Sequence, residues 1–285
     1  MKLKNTEGGR VMFNSLKVHP VSFIRAMSNA LELSATGISR HHRRTAIIAK
    51  HIGEFLKLKQ DELEILIYSA LLHDIGAASN WNEKHFIAYC EDDLIFNHAE
   101  KGYLILKDSY PLGILAEPIR YHHDRYYGGN PSGLKGEDIP LISRIIHISD
   151  RIEVLINNDV HILFQRCNII QVIKESNYFD PKLVQVFNEL SKFEYFWLDI
   201  VNPIYQNHFL DDISFFGKLL FDIDDLIDMA EIFAKVVDET SHYTAEHSKN
   251  VAKIYKFLAE KRGFSNLECK QFYLAGLLHD LGKLA

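Results

Sequence analysis

The chain has 285 residues, 47% of them hydrophobic, which is enough for one large domain or two ordinary ones with a buried core. A formal charge of −6 provides no broad basic field, so we expect neither a DNA partner nor binding to a membrane surface. No apolar run is long enough for a membrane span or a signal peptide. The three scattered cysteines, Cys90, Cys167 and Cys269, include no CxxC pair, which predicts a reducing cytoplasm and packing roles for their side chains.

The first two predicted helices bring a histidine towards the core. Pro20 suits a first helical position and predicts a helix over residues 20–33. A second helix is predicted within residues 40–58, where His41 falls on an apolar stripe and is expected to face the core. His42 lies about 100° further around this helix and is expected to be exposed. The stripe consists of His41, Ile48, Ile52 and Phe55.

The third predicted helix ends in an adjacent histidine and aspartate. Asp61 and Glu62 favour its N-terminus through the helix dipole. Its buried face continues to His73 and Asp74, after which Gly76 lets the chain turn. In isolation such a pair is more often a hydrogen-bonded core pair than a metal site. The buried face consists of Leu63, Leu66, Ile67, Ala70 and Leu71.

More histidine and aspartate residues follow at helical sites. His98 begins a further helical segment, and a helix starting at Pro111 ends near the adjacent His122 and His123. The loop over residues 126–133 is rich in glycine and aromatic residues, which suits close approach to a ligand and a tight turn equally well. A helix from Pro140 then places Asp150 on the apolar face of Ile142, Ile146 and Val154, where a carboxylate needs a cation or several donors.

The remaining pattern is also helical, without strand-like alternation of any length, and predicts an all-α fold. A helical region covers residues 167–196, with Pro181 at a helix start, and the pattern breaks over residues 197–217. We therefore expect a first domain over residues 1–200 and a second, incomplete unit over residues 201–285. The acidic cluster Asp222, Asp224, Asp225 and Asp228 predicts a solvated helix start rather than a calcium loop.

The second unit repeats the first at a constant spacing. Residues 41, 73, 74 and 76 recur 206 positions later as His247, His279, Asp280 and Gly282. Such a constant register is hard to produce by chance. No counterpart of the later histidines follows within the sequence, so the second copy alone cannot complete the same site.

Seven side chains in the first unit form a candidate metal site with Asp74 as a bridging ligand. Imidazole and carboxylate ligands suit iron or manganese first, and also zinc or nickel, better than magnesium or calcium. Two such ions would activate a water for in-line attack at phosphorus. Scattered histidines such as His19, His51, His85, His161 and His208 are expected to be ordinary surface or core residues. The predicted ligands are His41, His73, Asp74, His98, His122, His123 and Asp150.

On these motifs the chain resembles the HD-domain phosphohydrolases, and among them the HD-GYP group of cyclic di-GMP phosphodiesterases. The resemblance covers residues 34–190 and includes the segments around His41, His73, His122 and Asp150. It also includes His98, the loop at Gly129, the Gly133–Pro140 segment and Phe179–Pro181. It implies an HD-domain helical bundle, a two-metal site and hydrolysis of a cyclic dinucleotide in the cytoplasm, with a homodimer as one possible assembly.

Three positions depart from the pattern of that group. Ala77 stands where the HDxGK motif has a lysine, Asn130 replaces the tyrosine of GYP, and Gly37 replaces a glutamate of three-metal members. We expect Asp74 and Arg144 to be catalytic, and Arg144, Gly129 and Asn130 to bind substrate, although Arg144 could instead pair with Glu137 or Asp138. Two alternatives stay open: a regulatory module that binds nucleotide or metal without turnover, and an HD phosphohydrolase for another nucleotide.

Overall fold

The computed structural model describes residues 17–33, 40–77, 95–211, 213–215, 217, 220–240 and 246–284. Helices dominate these ranges, and no β-strand occurs in them; Val18 and Phe221 form an isolated antiparallel bridge. The all-α prediction is confirmed. Within the described residues, none of the helices has both the length and the apolar character needed to cross a membrane.

The helices are numbered here in chain order. Two predicted helix starts are wrong: the helix that contains His98 begins earlier, at Ile95, and Pro111 is followed by the 3-10 turn Leu112–Leu115 before an α-helix begins at Ala116. Pro181 begins α8 and Pro203 begins α10, each behind a side-chain cap from Asp180 or Asn202. The helices are α1 Pro20–Leu33, α2 His41–Phe55, α3 Gln60–Leu72, α4 Ile95–Leu106, α5 Ala116–Arg120, α6 Leu141–Val154, α7 Ile162–Glu175, α8 Pro181–Leu190, α9 Glu194–Val201, α10 Pro203–His208, α11 Ile223–Thr240, α12 His247–Lys261 and α13 Asn266–Leu278. Short 3-10 turns lie at Ile75–Ala77, Leu112–Leu115, Gly136–Asp138 and Leu281–Leu284.

The larger core surrounds α2, α3 and α6, and it extends into the predicted connection between units. That connection, over residues 197–217, contains the end of α9 and all of α10. Trp197 is fully buried and donates its indole N–H to the carbonyl oxygen of Ser191 at 2.9 Å. The break in the pattern therefore reflects the two short helices and their turns rather than a linker.

The helical repeat is also a structural repeat. The ranges of α12 and α13 match those of α2 and α3 shifted by 206 positions. The helices that precede them, α1 and α11, pack together through an edge-to-face contact of Phe23 with Phe233 at 5.9 Å between ring centroids. Much of α11 thus belongs to the larger core, and the division at residues 200/201 stays a prediction.

Two smaller predictions of burial are wrong. Phe55 is 45% exposed because it ends α2, beyond the turn that packs on the core. Cys167 is exposed on α7, whereas Cys269 is buried. His19, His161 and His208 are exposed and His51 is buried, as expected for ordinary residues. Cys90 and His85 lie outside the described residues.

The acidic cluster behaves as a helix start, as predicted. The carboxylate of Asp222 accepts hydrogen bonds from the backbone N–H groups of Asp224 and Asp225, at 2.9 Å and 3.1 Å. It therefore caps α11 in the position where a negative charge favours the helix dipole.

Candidate metal centre

Helices α2, α3 and α6 deliver the first group of ligands. His41 is the first residue of α2, and His73 directly follows α3. Their Nε2 atoms lie 3.2 Å apart, and Asp150 of α6 places its Oδ1 3.3 Å from the Nε2 of His41. All three side chains are almost fully buried.

A second group consists of three histidines from α4 and the turn after α5. The Nε2 atom of His98 lies 3.2 Å from that of His122 and 3.1 Å from that of His123. The three residues are 0–4% exposed. Each of the two groups therefore gathers nitrogen or oxygen ligand atoms around one point.

Asp74 lies between the two groups and faces both. Its Oδ1 is 3.3 Å from the Nε2 of His98, and its Oδ2 is 3.4 Å from the Nε2 of His73. The groups are adjacent, since the rings of His73 and His122 meet edge to face at 5.2 Å. One carboxylate thus offers one oxygen to each group.

Backbone carbonyls fix the tautomers of two ligands. His73 donates from Nδ1 to the carbonyl of Ala70 at 2.8 Å, and His122 donates likewise to Ile119 at 2.6 Å. Because a carbonyl only accepts, the Nδ1 atoms carry protons, and the Nε2 atoms point into the centre, where they can bind a metal when the rings are neutral.

A carboxylate orients His41 in the same way. Glu153, 8% exposed, contacts the Nδ1 of His41 at 2.5 Å and the Nη1 of Arg44 at 3.4 Å. Neither Glu153 nor Arg44 was predicted as part of the site. Their spacing gives a signal, because Arg44 follows His41 by one helical turn and Glu153 follows Asp150 by one turn.

The donor set fits divalent transition metals. Asp74 Oδ1 and Asp150 Oδ1 are buried and accept no hydrogen bond from the described residues. Buried carboxylate oxygens facing imidazole lone pairs are costly unless a cation lies among them. The nitrogen-rich ligands favour iron, manganese, zinc or nickel over calcium or magnesium.

His42 belongs to the centre, and the prediction that it is exposed is wrong. Its residue exposure is 1%, and its Nε2 lies 3.5 Å from the Oδ2 of Asp74. The ring also meets that of His73 edge to face, with 5.4 Å between the centroids. The end of α3 covers the side of α2 that would face solvent in an isolated amphipathic helix.

The glycine-rich loop is a tight turn stabilised from within. Gly129 has a φ of 81°, in the left-handed region. Asn130 accepts a hydrogen bond from the backbone of Arg125 at 2.7 Å and donates both amide hydrogens, to the carbonyls of Arg125 and Leu134. Substrate binding by Gly129 and Asn130 stays a prediction, and the loop contacts show a structural use of the amide.

Arg144 pairs with a different carboxylate from those expected. Its Nη1 contacts Asp180 at 2.5 Å and its Nε donates to the carbonyl of Ile139 at 2.9 Å, so the expected pairing with Glu137 or Asp138 is wrong. Glu137 instead pairs with Lys182. The catalytic role of Arg144 stays a prediction, but its guanidinium already ties α6 to the start of α8.

We predict that the Arg144–Asp180 pair contributes mainly to stability. Arg144→Gln should lower the free energy of unfolding by about 3 kcal/mol, because it leaves a buried carboxylate without its cation. Denaturant unfolding of Arg144→Gln, Asp180→Asn and the double variant should show strong coupling. The exposed Lys182–Glu137 pair is the control and should show little coupling, because solvent screens it. If the effects of the two single substitutions on the free energy of unfolding simply added in the double variant, and Arg144→Gln raised KM, a role of Arg144 in phosphate binding would be favoured.

The second copy of the motif gathers a smaller group of ligands. His247 and His279 place Nε2 atoms 3.4 Å and 3.2 Å from the Oδ2 of Asp280. His279 donates from Nδ1 to the carbonyl of Gly276, as His73 does to Ala70. These side chains are more exposed than their counterparts, at 30%, 27% and 16%.

The charges around the two histidine groups shift their pKa values in opposite directions. Burial lowers the pKa of His41, but Glu153, Asp150 and Asp74 raise it by more. The pKa of His41 therefore lies well above its ordinary value. Burial and the neighbouring imidazole of His98 hold the pKa of His122 well below its ordinary value. The same holds for His123, where burial is the first cause and the neighbouring histidines add to it.

We therefore predict that metal binding depends on pH differently at the two groups. A protonated His41 in the metal-free protein must lose its proton, so affinity at the His41–His73–Asp74 group should rise with pH, by up to about tenfold per unit for each proton released. At the second group, where the pKa values of His122 and His123 are lowered, these two rings should release no protons near neutral pH when metal binds. Calorimetry in buffers of different ionisation enthalpy measures the protons released. Equal proton release for both binding events would contradict the assignment.

Comparison with known proteins agrees with this geometry. An HD domain model matches residues 25–183, and an HDOD domain model matches residues 226–285. The 3'3'-cGAMP-specific phosphodiesterase 1 of Vibrio cholerae is 24% identical over 269 residues, covering 90% of this chain, which spans 62% of that relative's length. The cyclic di-GMP phosphodiesterase response regulator RpfG of Xanthomonas campestris is 30% identical over 138 residues, covering 46% of this chain and 36% of RpfG.

A solved structure shows the same fold. The crystal structure of the cyclic GMP-AMP-specific phosphodiesterase V-cGAP3 of V. cholerae superposes with a TM-score of 0.73 at 24% identity, covering 95% of this chain and 72% of that one. The matched HD domain covers more than half of this chain and contains the two ligand groups that meet at Asp74. The chain therefore belongs to the HD-domain family.

Proposed function

We propose that the chain is a metal-dependent phosphodiesterase that opens a cyclic dinucleotide, such as cyclic di-GMP or 3'3'-cGAMP, to a linear product at a binuclear site. The relatives named for these two substrates support the substrate class. The observation that carries the proposal is the position of Asp74, which offers one oxygen to each of two histidine groups.

The chain's own residues would hold two divalent ions in a fixed arrangement. His41, His73, Asp74 and Asp150 would bind the first, and Asp74 with the three other histidines would bind the second. Such ions supply Lewis acidity and lower the pKa of water for attack at phosphorus. Glu153 and the carbonyls of Ala70 and Ile119 keep the imidazoles oriented, so the ligands need little rearrangement when substrate binds.

Metal analysis combined with turnover tests this proposal. Protein reloaded with Fe(II) or Mn(II) is expected to hold two equivalents per chain and to linearise at least one member of a panel of cyclic dinucleotides. The panel includes cyclic di-GMP, 3'3'-cGAMP and a mononucleotide substrate, which separates a phosphohydrolase for another nucleotide. The proposal would be contradicted if the protein took up no metal on reloading. It would also be contradicted if the metal-loaded protein hydrolysed no member of the panel.

A regulatory module without turnover is the second candidate. Ala77 is fully buried and donates its backbone N–H to the carbonyl of Asp74, so this position supplies no cation to a substrate phosphate. Loss of a charged contact of this kind costs about 10²-fold in rate in a preorganised site. Saturable binding of a cyclic dinucleotide without product would support this alternative.

A further inference from the structure

A polar cavity lies against the N-terminal turn of α2 and the segment that joins α6 to α7. Its volume is about 470 Å³, within the range of small-molecule sites in proteins. None of the described residues that line it is acidic, although the chain as a whole carries a net negative charge. The polar residues that line it are Arg40, Arg44, Asn157, Asn158, His161 and Gln165.

Two arginines give this cavity its charge. The Arg44 side chain is 8% exposed, and its Nε is buried without a hydrogen-bond partner among the described residues. Its ion pair with Glu153 is long, at 3.4 Å. Arg40 makes no ion pair with any residue that the structure describes. A buried guanidinium group such as that of Arg44, with an unsatisfied Nε and a single long ion pair, is costly, and an anion in the cavity would satisfy it together with the partly buried Arg40.

The other lining residues add neutral donors. His161 accepts the backbone N–H of Leu163 at its Nδ1, which places the proton of the neutral ring on Nε2. Asn158 contributes an amide at the same wall. Gln165 is used internally, because it donates to the backbone carbonyls of Asn157 and Val160 and keeps the segment between α6 and α7 in place.

We propose that this cavity binds a phosphate group of a nucleotide, with Arg40 and Arg44 as its cationic ligands. Guanidinium groups match phosphate oxygens in geometry as well as charge. Glu153 contacts both Arg44 and the metal ligand His41, so the cavity is one side chain away from the metal centre. The bound group could be the phosphate of the cyclic dinucleotide that is not hydrolysed, and this assignment rests on the proposed function. It could also be a phosphate of a separate nucleotide.

The variant Arg40→Asn tests the cavity without touching the metal ligands. Arg40 has a φ of 75°, and asparagine tolerates this left-handed conformation better than most residues. The matched control is Arg43→Gln, because Arg43 lies on the same helix but reaches Asn207 rather than the cavity. Calorimetry with cyclic di-GMP and with GMP, and turnover of cyclic di-GMP and of bis(4-nitrophenyl) phosphate, are measured for both variants.

We expect Arg40→Asn to weaken binding of at least one nucleotide by about tenfold or more, the loss of one charge-assisted contact, while Arg43→Gln behaves as wild type. Turnover of the small diester, which has a single phosphate, should stay unchanged. A raised KM for cyclic di-GMP would assign the cavity to the substrate. A loss confined to GMP binding would assign it to a separate nucleotide.

Equal nucleotide binding by the two variants and wild type would overturn the proposal. Failure of the proposed function has a different signature: the metal-loaded wild type would then hydrolyse neither cyclic di-GMP nor the small diester. Even in that case, the calorimetric comparison of Arg40→Asn with Arg43→Gln decides whether the cavity binds nucleotide phosphate.

Discussion

Asp74→Asn is expected to reduce cyclic dinucleotide turnover by roughly 10³-fold or more, the largest loss among substitutions in the centre. An amide has the size of the carboxylate but neither its charge nor two equivalent acceptor oxygens. Both ligand groups would lose an oxygen at once, because Asp74 faces each of them. The bound metal should therefore fall below two equivalents per chain, as measured by elemental analysis together with initial rates.

The second copy of the motif provides the matched control. Asp280 occupies the same place in its own His-Asp pair, with partly exposed neighbours and no second histidine group among the described residues. The Asp280→Asn variant should bind as much metal in the first unit as the wild type and should hydrolyse the cyclic dinucleotide at the same rate. If Asp280→Asn instead removed the activity and Asp74→Asn did not, the catalytic role would belong to the second unit.

The ligands that could be predicted from sequence are polar residues that helical spacing places on a buried apolar face. His41 and Asp150 lie on apolar stripes, where an unpartnered polar group is costly, and the structure places both in the centre. His122 and His123 were predicted because they follow the end of an apolar helix, and His98 because it begins another helical segment.

What the sequence did not predict depends on how helices pack on each other. A single-helix projection puts His42 in solvent, and only the position of α3 shows that this face of α2 is covered. In the sequence, Glu153 and Arg44 look like ordinary charged residues. Only the structure shows that Glu153 lies between His41 and Arg44 and contacts both. The use of Asn130 inside its loop likewise depends on backbone groups whose positions spacing does not give.

Gly76 is another residue whose role depends on helix packing, because the sequence indicates a turn there but not the close approach of α4. A Cβ atom at Gly76 would overlap the carbonyl oxygen of His98 and lie 2.5 Å from the backbone nitrogen of Gly102. Neither is the end of a flexible side chain, so α4 would have to move away from the turn. That movement would carry the proposed metal ligand His98 with it.

Gly76→Ala is therefore expected to lower the free energy of unfolding by about 3 kcal/mol or more and to weaken metal binding at the His98 group. Gly102→Ala should cost less, about 1 kcal/mol, because its Cβ meets the side chain of Ile119 and alanine favours a helix. Gly282→Ala, at the same place in the second copy, has no atom of the described residues within 4 Å of its Cβ and should leave stability nearly unchanged. Thermal and denaturant unfolding with and without a chelator measures the series. A Gly76→Ala protein as stable as Gly282→Ala, with both metals bound, would show that the approach of α4 to this turn does not hold the centre together.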